Sequence, residues 1–215
     1  GKYYLVETKT LEGFVLDSEP IMADLSYVDQ HTEVVYAGME VTNERQKVQV
    51  TVIKTDAETK KDLEGAIFGL YAAEDIVNAD GKIIVAKDTL VEKAVTGTDG
   101  KCVFVSDLPL GQYYVKEIEA PKGYVLNEEI FALDASYQGD DVKVIELEAT
   151  FANYPTKLEI SKTDITGEYE LKGATLSIID KNGNVVETWK SDGETHYIER
   201  IPVGEYILRE EAAPY

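Results

Sequence analysis

Apolar and polar residues alternate with a period of two along much of this chain. Val48, Val50 and Val52 share one parity, as do Tyr113 with Val115, Ala149 with Phe151, and Leu158 with Ile160, the pattern of strands with one buried face. In each run the same parity continues onto a polar residue, Lys54, Glu117, Asn153 and Lys162 in turn. Between runs rich in Val, Ile, Tyr, Thr and Phe lie Asp-Gly pairs at 80–81, 99–100 and 192–193 and an Asn-Gly pair at 182–183, which predict antiparallel hairpins. The strand beginning at Gly111 is expected to stop at Ala-Pro-Lys-Gly-Tyr, where Pro121 removes a ladder donor and Gly123 permits a left-handed turn. The expected fold class is all-β.

The runs recur in order. GKYYLVETKTLEGF (1–14), GQYYVKEIEAPKGY (111–124) and GEYILREEAAPY (204–215) put Glu7, Glu117 and Glu210 at one equivalent position. VTVIKTD and LEISKTD align Lys54 with Lys162, each followed eleven residues later by a Gly-Ala pair. EVTNER and TFANYP align Asn43 with Asn153, each 36 residues after its glutamate. The landmarks predict the C-terminal half of one repeat over 1–46, a complete repeat over 47–156 and the N-terminal part of a third over 157–215. Met39, Val41 and Asn43 are read as one face of a strand, and Tyr206, Leu208 and Glu210 as another. The segment from Ala72 to Lys93 is expected to be a hairpin or loop excursion, since Lys54 to Glu117 is 63 residues and Lys162 to Glu210 only 48. GTDGKCVFVSDLPLGQYY is expected to form a further hairpin leading into the glutamate strand.

Composition narrows the function. The 215 residues suit about two domains of ordinary size. A net charge of -20 with no compensating basic cluster argues against nucleic-acid binding and reads as a solvated surface. The single cysteine, Cys102, forbids an internal disulfide and, within KCVFV, reads as a small buried strand residue. No apolar run is long enough to span a bilayer, so no membrane insertion is expected from this chain, and any targeting segment is expected to lie outside it. His31 and His196 are the two histidines; neither lies at metal-ligand spacing or beside a nucleophile motif, so neither a metal nor turnover catalysis is expected. The stretch at Asn78-Ala-Asp-Gly lacks the later acidic ligands of a calcium loop and is read as a turn. No cofactor is implied.

A lysine, a glutamate and an asparagine that all continue an apolar face pose an energetic problem, because an unpaired buried charge is strongly destabilising. Desolvation lowers the amine pKa and raises that of the carboxyl, making a neutral amine beside a protonated acid accessible. Such an amine is a nucleophile, and an acid donating to the asparagine amide oxygen would polarise that carbonyl. One reading is therefore an amide joining the side chains of Lys54 and Asn153, with ammonia lost and Glu117 moving the proton. The other is a hydrogen-bonded triad, or a lysine that reaches the rim, without covalent chemistry. Spacing does not separate them.

KTD near a domain start, LxGAxFxLY at Leu63 to Tyr71 and YxxxExxAPxGY at Tyr113 to Tyr124 resemble the B-type repeats of collagen-binding adhesins, also called SpaA-like pilin domains of Gram-positive surface proteins. The resemblance implies tandem prealbumin-like, inverse immunoglobulin-type β-sandwiches, one complete and two partial. It also implies an autocatalytic intramolecular isopeptide bond, with Lys54 the amine, Asn153 the acceptor and Glu117 the catalytic acid, set among the aromatic rings of Phe68 and Phe151. The first copy departs from the motif with Thr10-Leu11 in place of Ala-Pro and has no matching lysine. The third has Leu176 where Phe68 stands and no matching asparagine. Glu7 with Asn43, and Lys162 with Glu210, are thus equivalent but incomplete sites. The incomplete copies are read as pieces of a longer array, the alternative being strand complementation between chains that sets Lys162 beside Asn43.

The leading expectation is a structural one: stalk or shaft repeats of a cell-surface adhesin or pilin, extracellular or in the cell wall, whose partners are neighbouring repeats of the same polypeptide. A Lys54–Asn153 tie would carry tension and, by analogy with a disulfide closing about a hundred residues, add on the order of 4 kcal/mol. The alternative is an adhesive module for a host extracellular protein or glycan, using its loops and some of the fourteen tyrosines.

Overall fold

The computed structural model describes residues 1–35, 38–78 and 80–213. Among them the secondary structure is entirely β. The N-terminal segment holds β1 (Lys2–Leu5) and β2 (Ile21–Asp24). Next come β3 (Lys47–Asp56), β4 (Ile67–Ala72), β5 (Ile76–Val77), β6 (Ile83–Val85), β7 (Leu90–Val95), β8 (Lys101–Phe104), β9 (Gly111–Glu119), β10 (Ile130–Ala135) and β11 (Val144–Asn153). The C-terminal segment contributes β12 (Lys157–Ile160), β13 (Lys172–Asp180), β14 (Val185–Asp192), β15 (His196–Glu199) and β16 (Tyr206–Ala212).

Between residues 47 and 153 a sheet of order β10-β9-β4-β7 faces one of order β11-β3-β8. Inward parity on each strand supplies the core between them, including Val50, Val52, Leu70, Phe104, Tyr113 and Ile145, as the alternation predicted. The first strand and the last lie side by side: β3 pairs with β11 in parallel, Phe151 opposite Lys54 and Asn153 opposite Asp56. The hairpin signals did not predict this pair, which closes only after the chain has traversed both sheets. Parallel end strands let the chain enter at one end of the sheet and leave at the other.

Two of the four glycine turns close hairpins and two do not. Asp80-Gly81 lies between β5 and β6, and Asn182-Gly183 between β13 and β14, both paired antiparallel. Ala79, within the first of these turns, lies outside the described residues. Asp99-Gly100 and Asp192-Gly193 instead carry the chain from one sheet to the other, because β8 finds its ladder on β3 and β15 on β12. The hairpin expected from GTDGKCVFVSDLPLGQYY is therefore replaced by a crossing, and β8 does not pair with β9. The excursion after Ala72 is the small β5–β6 ribbon, and it ends at Leu90, where β7 rejoins β4.

The flanking segments are less complete. The strand expected through Met39 and Val41 does not form, and both side chains are exposed. In the 47–153 sandwich the equivalent β11 is held by β3 alone, and the described residues of 1–46 contain no counterpart of β3 to hold it. After residue 156, β12 pairs with β15 and β14-β13-β16 form a second sheet around Ile160, Ile178, Ile198 and Ile201. Leu208 is exposed despite its inward parity, since β16 has no neighbour equivalent to β10. Pro214 and Tyr215, which close the third motif, lie outside the described residues.

Gly100 holds the crossing against β3. Its φ is +67°, its carbonyl accepts the Lys54 amide at 2.7 Å, and a Cβ there would stand 2.5 Å from the Lys54 carbonyl oxygen. Gly65 has φ +86° but open space around it. Urea denaturation should therefore show Gly65→Ala costing about 1 kcal/mol from backbone strain, and Gly100→Ala costing more, about 2–4 kcal/mol, because β3 must also shift. Equal losses would contradict this role for Gly100.

Candidate functional site

Three strands deliver three polar side chains to one point inside the sandwich. β3 and β11 bring Lys54 and Asn153 onto the same face of one sheet, while β9 presents Glu117 from the sheet opposite. Relative exposures are 0% for Lys54, 4% for Glu117 and 1% for Asn153. The β9–β4 register shifts at Glu117, with Phe68 opposite Glu117 and Ile67 opposite Glu119. Ile118 is thus the extra residue of a bulge, a device that re-aims side chains beside functional sites.

Lys54 Nζ donates to Asn153 Oδ1. The Asn153 amide nitrogen donates to both carboxylate oxygens of Glu117, at 3.0 Å each, and Lys54 Nζ lies 3.5 Å from Glu117 Oε1. The expected donation from Glu117 to the amide oxygen is therefore not the arrangement found: the oxygen faces the lysine, and the carboxylate faces the nitrogen. Glu117 Oε1 is within reach of both nitrogens. Burial pulls the Lys54 pKa below the ordinary lysine value, while the charge and hydrogen bond of Glu117 and the more distant charge of Glu129 oppose the shift without cancelling it.

The aromatic surround is present. Phe68 and Phe151 pack with ring centroids 4.9 Å apart, and Lys54 Nζ lies 5.9 Å from the Phe68 centroid. Two further residues were missed from sequence. Phe131 on β10 packs against Phe151 with centroids 6.2 Å apart and the rings tilted by 57°. Asn127 donates its backbone amide to Glu117 Oε2 at 2.7 Å and its side-chain amide to the Ala152 carbonyl at 3.0 Å, tying glutamate and asparagine strands together. A signal for it existed: Phe-Val-Leu-Asp at 14–17 repeats as Tyr-Val-Leu-Asn at 124–127.

The incomplete sites retain parts of this geometry. Asn43 donates to Glu7 Oε2 at 2.6 Å and to the Val15 carbonyl at 3.0 Å, and the Asp17 amide donates to the same Glu7 oxygen at 3.0 Å, so Asp17 stands where Asn127 does. In the third copy Lys162 Nζ lies 3.9 Å from Glu210 Oε1, with side chains 25% and 40% exposed. The bulge recurs there, Leu176 opposite Glu210 and Thr175 opposite Ala212. Lys162 and Asn43 belong to separate half-sites.

Other residues singled out have structural surroundings. Cys102 is buried opposite Val52, and burial pushes its thiol up to about 11, unfavourable for a nucleophile. His196 stacks on Trp189 at 4.3 Å and hydrogen-bonds Glu187 at 2.8 Å. The Asn78 side-chain oxygen accepts the amides of Asp80 and Lys82, which is turn chemistry.

A family model described as SpaA, a prealbumin-like fold domain, matches residues 48–148 and 156–215, about three quarters of the chain. The trypsin-resistant surface T6 protein of Streptococcus pyogenes serotype M6 is 30% identical over 95 residues, covering 44% of this chain and 15% of that protein. Among solved structures, the Bacillus anthracis TIE protein superposes with a TM-score of 0.57 and 28% identity over 100% of this chain and 37% of its own. The chain spans well under half the length of either relative.

The depressed Lys54 value has a measurable consequence in a variant that lacks the neighbouring carboxylate. Glu117→Gln removes the carboxylate that opposes the burial effect. The unfolded lysine, near ~10.4, then binds more protons than the folded one between the two values, so stability rises with pH across that interval, by at most about 1.4 kcal/mol per pH unit. Denaturation midpoints of Glu117→Gln should climb from pH 7 to 10, and adding Lys54→Met should remove the climb. An unchanged profile in the double variant would contradict burial of the lysine charge.

Proposed function

This chain belongs to the SpaA family of prealbumin-like domains of Gram-positive surface proteins, and from that premise we propose that it is a load-bearing part of a cell-surface adhesin or pilin shaft, locked by a Lys54–Asn153 isopeptide bond. Residues 47–156 are the complete repeat, with parts of its neighbours over 1–46 and 157–215, and the chain works outside the cell or in its wall beside further repeats of the same polypeptide. The observation that carries the reading is the position of Glu117 Oε1, near both the amine and the amide nitrogen of two otherwise buried side chains.

In the proposed step the neutral Lys54 Nζ attacks Asn153 Cγ and gives up a proton to Glu117. Glu117 passes that proton to Nδ2, which leaves as ammonia. One C–N bond forms, one breaks, and the carboxylate is restored, so the chemistry is a single turnover without oxidant or cofactor. The fold supplies the proximity that makes amide exchange effectively unimolecular. Asn127 and the Phe68–Phe151 pair hold the carboxylate and exclude water.

Mechanical function follows from topology. Tension applied to the ends of a repeat enters β3 at its N-terminus and leaves β11 at its C-terminus, shearing two parallel strands. A bond between residues 99 apart in sequence diverts that load across side chains and leaves the intervening chain slack. In single-molecule pulling of the full chain, the wild-type sandwich should contribute no step from that interval. Glu117→Ala should release a step of roughly 330–350 Å, at about 3.3–3.6 Å per residue. A wild-type step of that length would contradict the proposal.

A further inference from the structure

Where the 47–153 sandwich meets the segment after it, a polar cluster is built from both sides. Asp56, two residues beyond Lys54 on β3, has a side chain only 2% exposed. Its Oδ2 accepts Tyr124 Oη at 2.9 Å and Arg200 Nη2 at 3.0 Å, and Arg200 Nε reaches Tyr124 Oη at 3.3 Å. Its Oδ1 accepts the amides of Glu58 and Thr59. Burial works against the charge of Asp56, but these donors outweigh it and hold the carboxyl well below the usual range. Backbone contacts reinforce the cluster: the Thr156 amide donates to Gly123 O at 2.9 Å and the Arg200 amide to Thr156 O at 2.8 Å. Thr156 Oγ1 bridges the Gly123 and Ile201 carbonyls. Gly123 has φ +83°, and a Cβ on it would stand 2.4 Å from Arg200 O. Arg200 itself sits at φ +58°, a conformation uncommon outside glycine and found where surroundings impose it.

The upstream junction carries the opposite charge at the position of Arg200, on a different and exposed partner. DLPLG at 107–111 aligns with RIPVG at 200–204, so Asp107 stands where Arg200 does, and Asp107 pairs with Arg45. Gly13 O accepts the Gln46 amide at 2.8 Å just as Gly123 O accepts that of Thr156.

We propose that Asp56, Gly123 and Tyr124 form a docking surface for the following repeat, selective for one that carries a cation at the position of Arg200, and that the docked pair turns as one rigid body. A repeat with an anion there, as at Asp107, would set a second carboxylate against the buried Asp56, a repulsive element that fixes neighbour order. The inference rests on the tandem-repeat reading but not on the isopeptide bond. Its test reads orientation rather than mass or extension, so the two fail separately.

Residual dipolar couplings of the full chain test it. In the wild type, amides of 47–153 and of 157–212 should fit one alignment tensor. Arg200→Asp should require two, with amide shifts of the 47–153 core unchanged. Tyr124→Phe, which removes one hydroxyl and keeps the ring, should widen the orientational spread without unfolding either unit. Two independent tensors in the wild type, or one shared tensor in Arg200→Asp, would overturn the proposal.

Discussion

An amine, a carboxyl and a carboxamide enclosed between two sheets constrain everything else in the 47–153 sandwich. Lys54 is fully buried, and a lone charge in that position would be strongly destabilising. Partial relief comes from Glu117 at 3.5 Å and from the Asn153 oxygen, and each of these needs its own support. Asn127 supplies one donor to the carboxylate, and the bulge at Ile118 turns Glu117 toward the pair. Gly100 keeps β3 seated at the residue that carries the lysine. None of these devices would be needed around an all-aliphatic core.

The same constraint explains why the flanking segments look as they do. Glu7 and Asn43 still find each other at 2.6 Å, so the glutamate–asparagine half of the site does not depend on the lysine for its geometry. What it lacks is a strand: without a counterpart of β3, the segment bearing Asn43 has no ladder to join. In the C-terminal segment the lysine and glutamate approach to 3.9 Å but remain partly exposed, and among the described residues no strand covers them as β11 covers Lys54. In the 47–153 sandwich the site is buried where β3 and β11 lie side by side in one sheet and β9 faces them from the other.

Most of the site was legible in the sequence. Strand parity pointed Lys54, Glu117 and Asn153 inward, and equal spacings related them to Glu7, Asn43, Lys162 and Glu210. Parity is a local property, however, and what it omitted was long-range. It gave no sign that β3 and β11 run parallel, that Asp99-Gly100 and Asp192-Gly193 cross between sheets, or that Leu208 would lie at an open edge. Each of those outcomes depends on which distant strand is available to pair. The orientation of the Asn153 amide was likewise beyond reach, since it is set by a lysine on one side and a carboxylate from the opposite sheet on the other. Family likeness to SpaA domains supports the tandem prealbumin-like fold, and the residues around Lys54 give that fold a chemical reason for its arrangement.

The covalent tie is the claim on which this account of a tension-bearing repeat turns. Intact mass spectrometry of the denatured, purified chain reads it directly. The account predicts a mass lower than that calculated from the sequence by one ammonia, with the loss mapped to a branched peptide joining Lys54 and Asn153. The full calculated mass, with Lys54 and Asn153 recovered on separate unmodified peptides, would contradict it.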